Sequence, residues 1–439
     1  MKKLGITLFI LIFFFAGSSL LWAGGADNKT NWSAEYIGIL NRNAAIDAAD
    51  IVMYNPAGVM EMENGLTANL SAHYIAKDYN NEINGVDFDQ DEPSVVPGLY
   101  TVYKKEKWAA FLGVTNVLGG GVVDFEHGNA TTNLVGVQLI GGANALLGAA
   151  GVPSTFWYNG ISSQWLEAEH TGLALTTGAA FEVTDTLSVS LGLRYMKSER
   201  EMEGDVTIAA ANPFPAPGVN DPTTASVAFE EEATGFGGVV GINWRPNDRV
   251  NVGIHYDSEI ELDYDQTVVR DTHGILPALG ISQGGERNRN LPAVLAGGVS
   301  YWINDSLRME TNLTYYLNNA ANLKDIPGTP RDESALDNGF DVGIGFEYKI
   351  SDALSATCGY LYTETGVDAV NMTPELPELD AHSIGAGLTW QFNDRLTLTC
   401  GLGHVFYIDD SYLSAATGAT INYEKDITFV AFGAEYKFF

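Results

Sequence analysis

The sequence predicts an all-β protein, a transmembrane antiparallel β-barrel of about 14 strands with an N-terminal hatch inside its lumen. Three observations support this prediction: strand-like segments are joined by alternately short and long links, apolar and polar side chains alternate along them, and the C-terminal segment is aromatic. Outer-membrane barrels have this organisation, with tight periplasmic turns, long outer loops and a wet interior.

The links between Asn64 and Phe439 alternate in length, and six short and seven long links join fourteen antiparallel strands. The short links are residues 104–107, 184–185, 245–248, 304–305, 351–352 and 393–394, and the long links are roughly 79–93, 123–164, 206–232, 269–290, 321–337, 367–378 and 410–421. A closed barrel is the only β-structure that satisfies its backbone in lipid.

The N-terminus predicts export. Lys2 and Lys3 precede an apolar run that ends at Ala23, so residues 1–23 are expected to be a cleaved signal peptide, with a membrane-anchor helix as the alternative. The next most apolar stretch, Leu134–Val152, contains Gln138, Asn144 and several glycines, which weakens it as a membrane helix. The mean hydropathy of −0.01 suits a barrel, because polar lumen residues dilute the lipid-facing ones.

Composition excludes several functions. The formal charge of −32 argues against binding to nucleic acid or to anionic lipid surfaces. None of the seven histidines lies in a metal-site spacing or a nucleophile motif, and no glycine-rich phosphate loop is present, so we expect no enzyme activity, no metal and no cofactor. Cys358 and Cys400 lie on strands that flank a third strand, too far apart for a disulfide, and are expected to face lipid.

The faces of the strands are clearest in Val250–Tyr264, where period-two alternation continues for 15 residues. The parity of Val250 is expected to face lipid, and the other parity, including Asp257, Glu259, Glu261 and Asp263, to face the lumen. Many of the 48 glycines fall at inward positions, which leaves space for a plug or a ligand.

The aromatic residues expected to form a girdle near the short turns are Trp108, Phe181, Trp244, Trp302, Tyr348, Trp390 and Phe392. On the last strand, Val430, Phe432, Ala434, Tyr436 and Phe438 share the lipid-facing parity.

Residues 24–63 do not alternate, and their apolar content predicts a hatch that packs inside the barrel formed by residues 64–439. The segment Ala44–Met60 includes Asp47, Asp50 and the run Asn55-Pro56-Ala57-Gly58. It resembles the hatch of the FadL/TodX family of outer-membrane transporters for hydrophobic compounds, whose Asn-Pro-Ala motif falls here on residues 55–57. The resemblance covers nearly the whole mature chain, including an Asn290-Leu291-Pro292 start to the eighth strand. Asn55 and Pro56 either shape a turn of the hatch or take part in gating.

The resemblance implies a path for a hydrophobic ligand. The third strand contains Gly119, Gly120 and Gly121, which allow a bulge. Family members have a kinked third strand that opens the wall sideways, so these glycines are expected near a lateral exit, or else simply end the strand.

Two outer loops are apolar. One contains Leu134, Val137, Leu139, Ile140, Leu146 and Leu147, and the other contains Ile275, Leu276 and Leu279. These loops would form the outer hydrophobic groove of the family or pack together as a lid. The larger apolar loop follows the third strand, whereas the family builds its groove from later loops.

For a fatty acid, an inward cation should meet the carboxylate, and the candidates are Arg194, Lys197 and Arg308. Arg194 has the inward parity, whereas Lys197 shares the outward parity of Tyr195. The predicted inward acidic run would repel a carboxylate, which keeps neutral hydrocarbons as an alternative substrate.

The function predicted is passive uptake of hydrophobic compounds, either long-chain fatty acids or aromatic and aliphatic hydrocarbons, through a plugged barrel. The alternatives are a general porin for small polar solutes and a scaffold or shuttle protein of a secretion system. The expected partners are the ligand, outer-membrane lipid and lipopolysaccharide, and the machinery that inserts barrels. No nucleic acid is expected, and the protein is expected to be a monomer.

Overall fold

The computed structural model describes residues 33–210, 220–321, 336–414 and 418–439. The predicted signal peptide and residues 24–32 of the predicted hatch lie outside the described residues. The helices are α1 (Ala34–Ile39), α2 (Ala130–Ala149) and the 3-10 helices Ala49–Met53, Pro56–Glu61, Ser154–Phe156, Leu276–Leu279, Asn318–Ala320 and Ala369–Asn371. The strand segments are β1 (Gly65–Ile83), β2 (Val86–Gln90), β3 (Ser94–Lys105), β4 (Trp108–Phe125), β5 (Gly160–Thr184), β6 (Leu187–Ala209), β7 (Thr223–Asn247), β8 (Val250–Asp257), β9 (Asp263–Asp271), β10 (Glu286–Asn288), β11 (Val294–Trp302), β12 (Leu307–Tyr316), β13 (Gly339–Ser351), β14 (Leu354–Glu364), β15 (Ala381–Gln391), β16 (Leu396–Tyr407), β17 (Asp410–Leu413) and β18 (Thr420–Lys437).

The described segments form one closed antiparallel barrel. Its second, seventh, eighth and thirteenth strands are each broken in two (β2/β3, β8/β9, β10/β11 and β16/β17), so the eighteen segments make fourteen barrel strands. The first and last strands close the barrel, because β1 pairs with β18 from Thr67 opposite Lys437 to Ile83 opposite Ile421. The predicted fold class and strand number are confirmed.

The lipid-facing surface follows the predicted parity in the lower part of the wall. Six of the seven predicted girdle aromatics are exposed on the outer face, and Trp302 is half-buried. The two cysteines are free and exposed, as predicted. On β18, Phe432, Tyr436 and Phe438 point outward, and the rings of the last two lie edge to face with centroids 5.0 Å apart.

The strands continue well above the membrane, which corrects two of the predicted loops. β1 and β2 pair up to Ile83 opposite Val86, across a turn in which Asn84 and Gly85 both have positive φ, the geometry of a type I′ hairpin. Likewise β6 and β7 pair up to Ile208 opposite Thr223. The predicted links 79–93 and 206–232 are therefore too long, because the outward residues of these segments are polar and do not give the lipid-facing pattern.

The predicted single strand Val250–Tyr264 is wrong. Its pairing is interrupted between β8 and β9, where Ile260 forms an isolated bridge with Leu291. The facing of the side chains changes there, so that Ile260 and Leu262 are buried inside while Glu261 and Asp263 are exposed outside. Only Asp257 of the predicted inward acidic run is buried inside the barrel. The change has a physical reason: above the membrane the outer surface meets water and the apolar residues pack into the barrel mouth.

Candidate functional site

The hatch fills the lower lumen and begins with α1. The Ser33 hydroxyl caps this helix by accepting a hydrogen bond from the Tyr36 amide, and Leu40 ends the helix in the left-handed conformation. The Tyr36 ring stacks on the Tyr54 ring at 5.4 Å, which joins α1 to the second half of the hatch. Nearly all side chains from Ala34 to Met60 are buried, so the lumen at this level is packed with protein.

The hatch occupies the space that the inward glycines of the wall leave free. Gly345, Gly359, Gly385 and Gly403 lie opposite one another on β13 to β16 and form a glycine rung. A Cβ on Gly359 would lie 1.8 Å from the Ile39 carbonyl oxygen, and one on Gly385 would lie 2.3 Å from the Ile37 carbonyl oxygen. The end of α1 therefore rests directly on the backbone of the wall.

An ion cluster holds the hatch internally and to the wall. Arg42 contacts Asp50 at 2.5 Å and Asp47 at 2.7 Å, and Asp50 also accepts a hydrogen bond from the Ser33 hydroxyl. On the wall, Arg308 contacts Asp47 at 3.1 Å. Burial alone would raise the pKa of Asp47, but the Arg42 and Arg308 guanidinium groups outweigh it and lower that pKa to about 2. Asp47 thus keeps its charge, and its bond to the wall, at any physiological pH.

The Asn55-Pro56-Ala57-Gly58 motif forms the second attachment of the hatch. The Asn55 amide donates to the Ala45 carbonyl and, at 2.8 Å, to the Asn243 side chain on β7. Pro56 begins a 3-10 helix, where its missing N–H costs nothing. The Ala57 carbonyl accepts a hydrogen bond from Ser188 on β6. The motif shapes the hatch turn and ties it to two wall strands, and a part of the motif in gating stays a prediction.

Replacing Arg42 by Met should loosen the hatch. Asp50 is fully buried, and losing its guanidinium partner leaves an uncompensated carboxylate, which costs about 3–5 kcal/mol in comparable buried pairs. We expect residues 33–62 to become sensitive to limited proteolysis while the barrel stays folded. The double variant Arg42→Met/Asp50→Leu removes both charges and should recover most of the protection. Equal protease resistance of the single variant and the unaltered protein would contradict this account.

The third barrel strand, β4, carries a bulge at its glycines. Between the pairs Asn116–Leu173 and Gly121–His170, β4 has four residues where β5 has two. Gly119 and Gly121 both have φ of +81°, and a Cβ on Gly119 would lie 2.1 Å from the His170 carbonyl oxygen. Glycine is therefore required at Gly119 for the bulge to form.

The wall is incomplete beside this bulge. The pairing of β3 with β4 ends at Gly98 opposite Thr115, whereas β3 begins four residues earlier and β4 continues to Phe125. Behind this gap lies a cavity inside the barrel, lined in part by Gly120 and Gly121 of the bulge. Its other lining residues are Lys77, Tyr79, Val123, Ala168, Glu169, His170, Arg200, Met202, Glu375 and Leu376. The predicted alternative, a simple end of the strand at the glycines, is wrong, because β4 continues past them.

Of the three candidate carboxylate partners, Arg194 and Arg308 face inward and are buried, but both are engaged by acids. Arg194 lies 2.6 Å from Asp257, and Arg308 contacts Asp47, Glu310 and Glu347. The prediction of Lys197 as a carboxylate partner inside the barrel is wrong. Its side chain lies on the outer face, paired with Glu199, because its parity is that of the outward Tyr195. Arg194 and Asp257 line a second cavity with His255, Leu291 and Pro292, between the hatch and the wall.

A cationic cluster in the barrel mouth was missed by the sequence reasoning. Arg200 and Arg287 each lie 2.8 Å from the buried Glu231, and Arg289 is buried nearby. Gln266 donates to the other oxygen of Glu231. Arg200 has the parity of Arg194, so alternation along β6 could have identified it as inward. Arg287 and Arg289 lie at the broken eighth strand, where no regular alternation marks them.

The two apolar outer loops pack on each other. Leu139 of α2 and Ile275 belong to one buried cluster with Val206 and Ile208 of β6, and Ile140, Leu147 and Leu279 pack against it. Leu134 and Leu276 join the main core, Leu146 is half-buried and Val137 is half-exposed. The arrangement matches the lid alternative in that the loops bury each other.

No helix in the described ranges has the length and apolarity needed to cross a membrane.

A third outer segment, residues 371–379, folds into the mouth and is buried throughout. Asn81 of β1 donates to the Pro374 carbonyl, Lys425 of β18 donates to the Pro377 carbonyl, and Glu375 accepts a hydrogen bond from Asn129. The sequence predicted a long outer link at 367–378, and the two prolines and the acids of this segment gave no sign of burial. The hatch thus fills the barrel below, and this segment occupies part of its mouth above.

Among the described residues, no group of three His, Cys, Asp or Glu side chains is placed to hold a metal ion. Both cavities have apolar walls and a few charged groups, and both are small, about 30 and 20 Å³.

Comparisons with known proteins agree with this architecture. A family model described as outer membrane protein transport protein (OMPP1/FadL/TodX) matches residues 22–438. The sequence is 22% identical over 188 residues to a 47 kDa outer membrane protein of Pasteurella multocida, a match that covers 39% of this chain and 43% of the relative. It is 21% identical over 257 residues to outer membrane protein P1 of Haemophilus influenzae, covering 53% of this chain and 55% of the relative. The chain spans about half the length of these two curated relatives.

Two solved structures share the fold. A FadL homologue of Pseudomonas aeruginosa superposes with a TM-score of 0.67 at 15% identity, over 94% of this chain and 100% of that one. The toluene transporter TodX of P. putida superposes with a TM-score of 0.62 at 14% identity, over 89% and 94% of the two chains. At these identities the structures show the fold.

Proposed function

Because the chain belongs to the outer membrane protein transport family OMPP1/FadL/TodX, we propose that it carries hydrophobic compounds passively across the outer membrane. The observation that supports this most is the combination of a hatch-filled lumen with a gap in the wall between β3 and β4. A polar solute needs a continuous wet channel, whereas a hydrophobic ligand can leave sideways into lipid. The filled lumen therefore speaks against the general porin.

The ligand path begins at the outer loops. The uncharged helix α2 and the loop around Ile275 pack on each other through apolar side chains, and Val137 of α2 stays exposed. A hydrophobic ligand would enter between these two loops. Beneath them, the mouth holds the buried Arg200, Arg287 and Arg289, with Glu231 between the first two and the buried Glu375 close to Arg200. The acids above the membrane, including Glu261 and Asp263, point outward and do not repel a ligand inside. This distribution of charge favours an acidic amphiphile, such as a long-chain fatty acid, over a neutral hydrocarbon.

Uptake by intact cells tests the proposal. A strain lacking the gene, complemented with the protein, should take up radiolabelled oleate at least about tenfold faster than the same strain with an empty vector, since a hydrophobic ligand crosses the lipopolysaccharide leaflet poorly unaided. Toluene uptake is measured beside it to separate the two substrate classes, and a small sugar serves as the polar control. Enhanced uptake of the sugar with no change for either hydrophobic compound would instead support the porin. Co-purification of a protein cargo without any uptake would support the scaffold.

A further inference from the structure

Lys77 lies at the gap beside the β4 bulge. It projects inward from β1 and is 3% exposed. Its ammonium group donates to the Ser94 hydroxyl at 2.8 Å, to the Gly120 carbonyl at 3.3 Å and to the Val122 carbonyl. The Ser94 hydroxyl in turn donates to the Gly120 carbonyl at 2.6 Å. Lys77 and Ser94 thus connect β1 and β3 to β4 beyond the point where backbone pairing of β3 with β4 ends.

We propose that Lys77 is a latch that holds this gap closed and is released by the carboxylate of an acidic ligand. The inference rests on the proposed function and adds the residue that couples the ligand's head group to opening of the wall. Lys77 lines the small cavity of about 20 Å³ behind the bulge together with apolar Tyr79, Met202 and Leu376, with Arg200, and with the acids Glu169 and Glu375. An incoming carboxylate therefore has to reach the Lys77 ammonium by displacing its bonds to the bulge.

The exchange of partners is chemically favourable. In the closed wall the ammonium is bonded to uncharged carbonyl and hydroxyl oxygens, whereas a carboxylate would add the attraction between two opposite charges to the hydrogen bond. A lysine side chain is a point charge on a flexible stem, so it can turn from the bulge into the cavity without moving its strand. A neutral ligand of the same length offers no carboxylate and leaves the latch in place.

The bulge is able to respond once it is released. Gly119 and Gly121 have positive φ and no side chain to hold them, and a Cβ on Gly120 would meet nothing within 4 Å. Losing Lys77 leaves the Gly120 and Val122 carbonyls without their cationic donor. The neutral hydrogen bond from Ser94 to the Gly120 carbonyl remains, and it holds β4 to β3 less strongly than the charged bonds of Lys77 do.

Hydrogen–deuterium exchange of the full-length mature protein in lipid nanodiscs tests the latch, with oleate and oleyl alcohol as matched probes. Oleate should speed exchange of amides 116–123 at least about tenfold, whereas oleyl alcohol should leave it unchanged. Lys77→Met should exchange fast without ligand and should not respond to oleate. The matched control is Lys349→Met, since Lys349 lies on β13 next to a short turn, with its ammonium 4.2 Å from the centre of the Trp302 ring and away from the bulge. This control should behave like the unaltered protein.

The latch is refuted if the two probes act alike on the unaltered protein, or if Lys77→Met exchanges at the unaltered rate. The probe comparison needs no variant, so misfolding of Lys77→Met cannot hide the answer. A failure of the latch is distinct from a failure of the proposed function: in the first case cells still take up hydrophobic compounds, and in the second they take up none.

Discussion

Replacing Gly359 by Val should open the barrel to ions. The new side chain would begin 1.8 Å from the Ile39 carbonyl oxygen, so the end of α1 must leave the glycine rung. The wall strand itself is paired on both sides by β13 and β15 and accepts a β-branched residue readily. Once the hatch is displaced, the lumen is a wet cylinder, and single-channel conductance in planar bilayers should rise at least about tenfold.

The control for this experiment lies in the same rung. A Cβ on Gly403 would have the Ile37 side chain as its nearest hatch atom, at 3.4 Å, which is ordinary contact. Gly403→Ala should therefore conduct no better than the unaltered protein, although both substitutions add bulk at the same level of the barrel. If Gly359→Val also stays closed, the hatch is not what blocks the lumen, and the porin hypothesis regains its main support.

The sequence predicts the membrane-spanning wall well because lipid imposes a strict pattern. Apolar residues must alternate with lumen residues, and the short turns must lie at one end of the barrel. The number of strands and their lipid-facing residues therefore follow from the order of residues and links along the sequence. The inward glycines even predict that something fills the lumen. Which glycine touches which hatch atom does not follow, because the hatch path across the rung depends on packing among distant segments.

Above the membrane, alternation of apolar and polar residues no longer predicts which side chains face outward. Water bathes the outside there, and the interior is filled, so the facing of apolar residues inverts along one chain, as at Ile260 and Leu262. An alternating sequence looks the same in both environments, and only the break between β8 and β9 distinguishes them. The inverted assignment made the lumen look acidic, whereas its charged cluster is centred on Arg200 and Arg287.

Some of the candidate binding residues can be placed inside the barrel from the sequence, and others cannot. Arg194 and Arg200 share a strand and a parity, so both could be assigned to the interior from the sequence. Lys77 has the inward parity of β1 as well, but its role depends on a gap between strands that are adjacent in sequence. A gap is an absence of pairing, and the sequence hints at it only through Pro97, which has no N–H to donate and lies next to the last pair at Gly98.

Deleting Gly119 and Gly120 should close the side exit and abolish uptake. β4 has two more residues than β5 between Asn116 and Gly121, so removing two restores one-to-one register with β5. An even deletion also keeps every later side chain on its own face, since the side-chain period of a strand is two. The straightened β4 can then continue its pairing with β3 past Gly98, and we expect uptake of the transported compound to fall at least about tenfold.

The deletion is informative because its neighbouring substitution is mild. Gly120→Ala adds a Cβ that meets nothing within 4 Å, and Gly120 is the one glycine of the three without positive φ. This variant should transport like the unaltered protein, while both variants should fold, as shown by the heat-dependent mobility shift of barrels in detergent gels. Retained uptake in a folded deletion variant would mean that ligands leave through the hatch region. The gap beside Lys77 would then be a structural irregularity of the wall, and the glycine rung, rather than the bulge, would be the place to look for the exit.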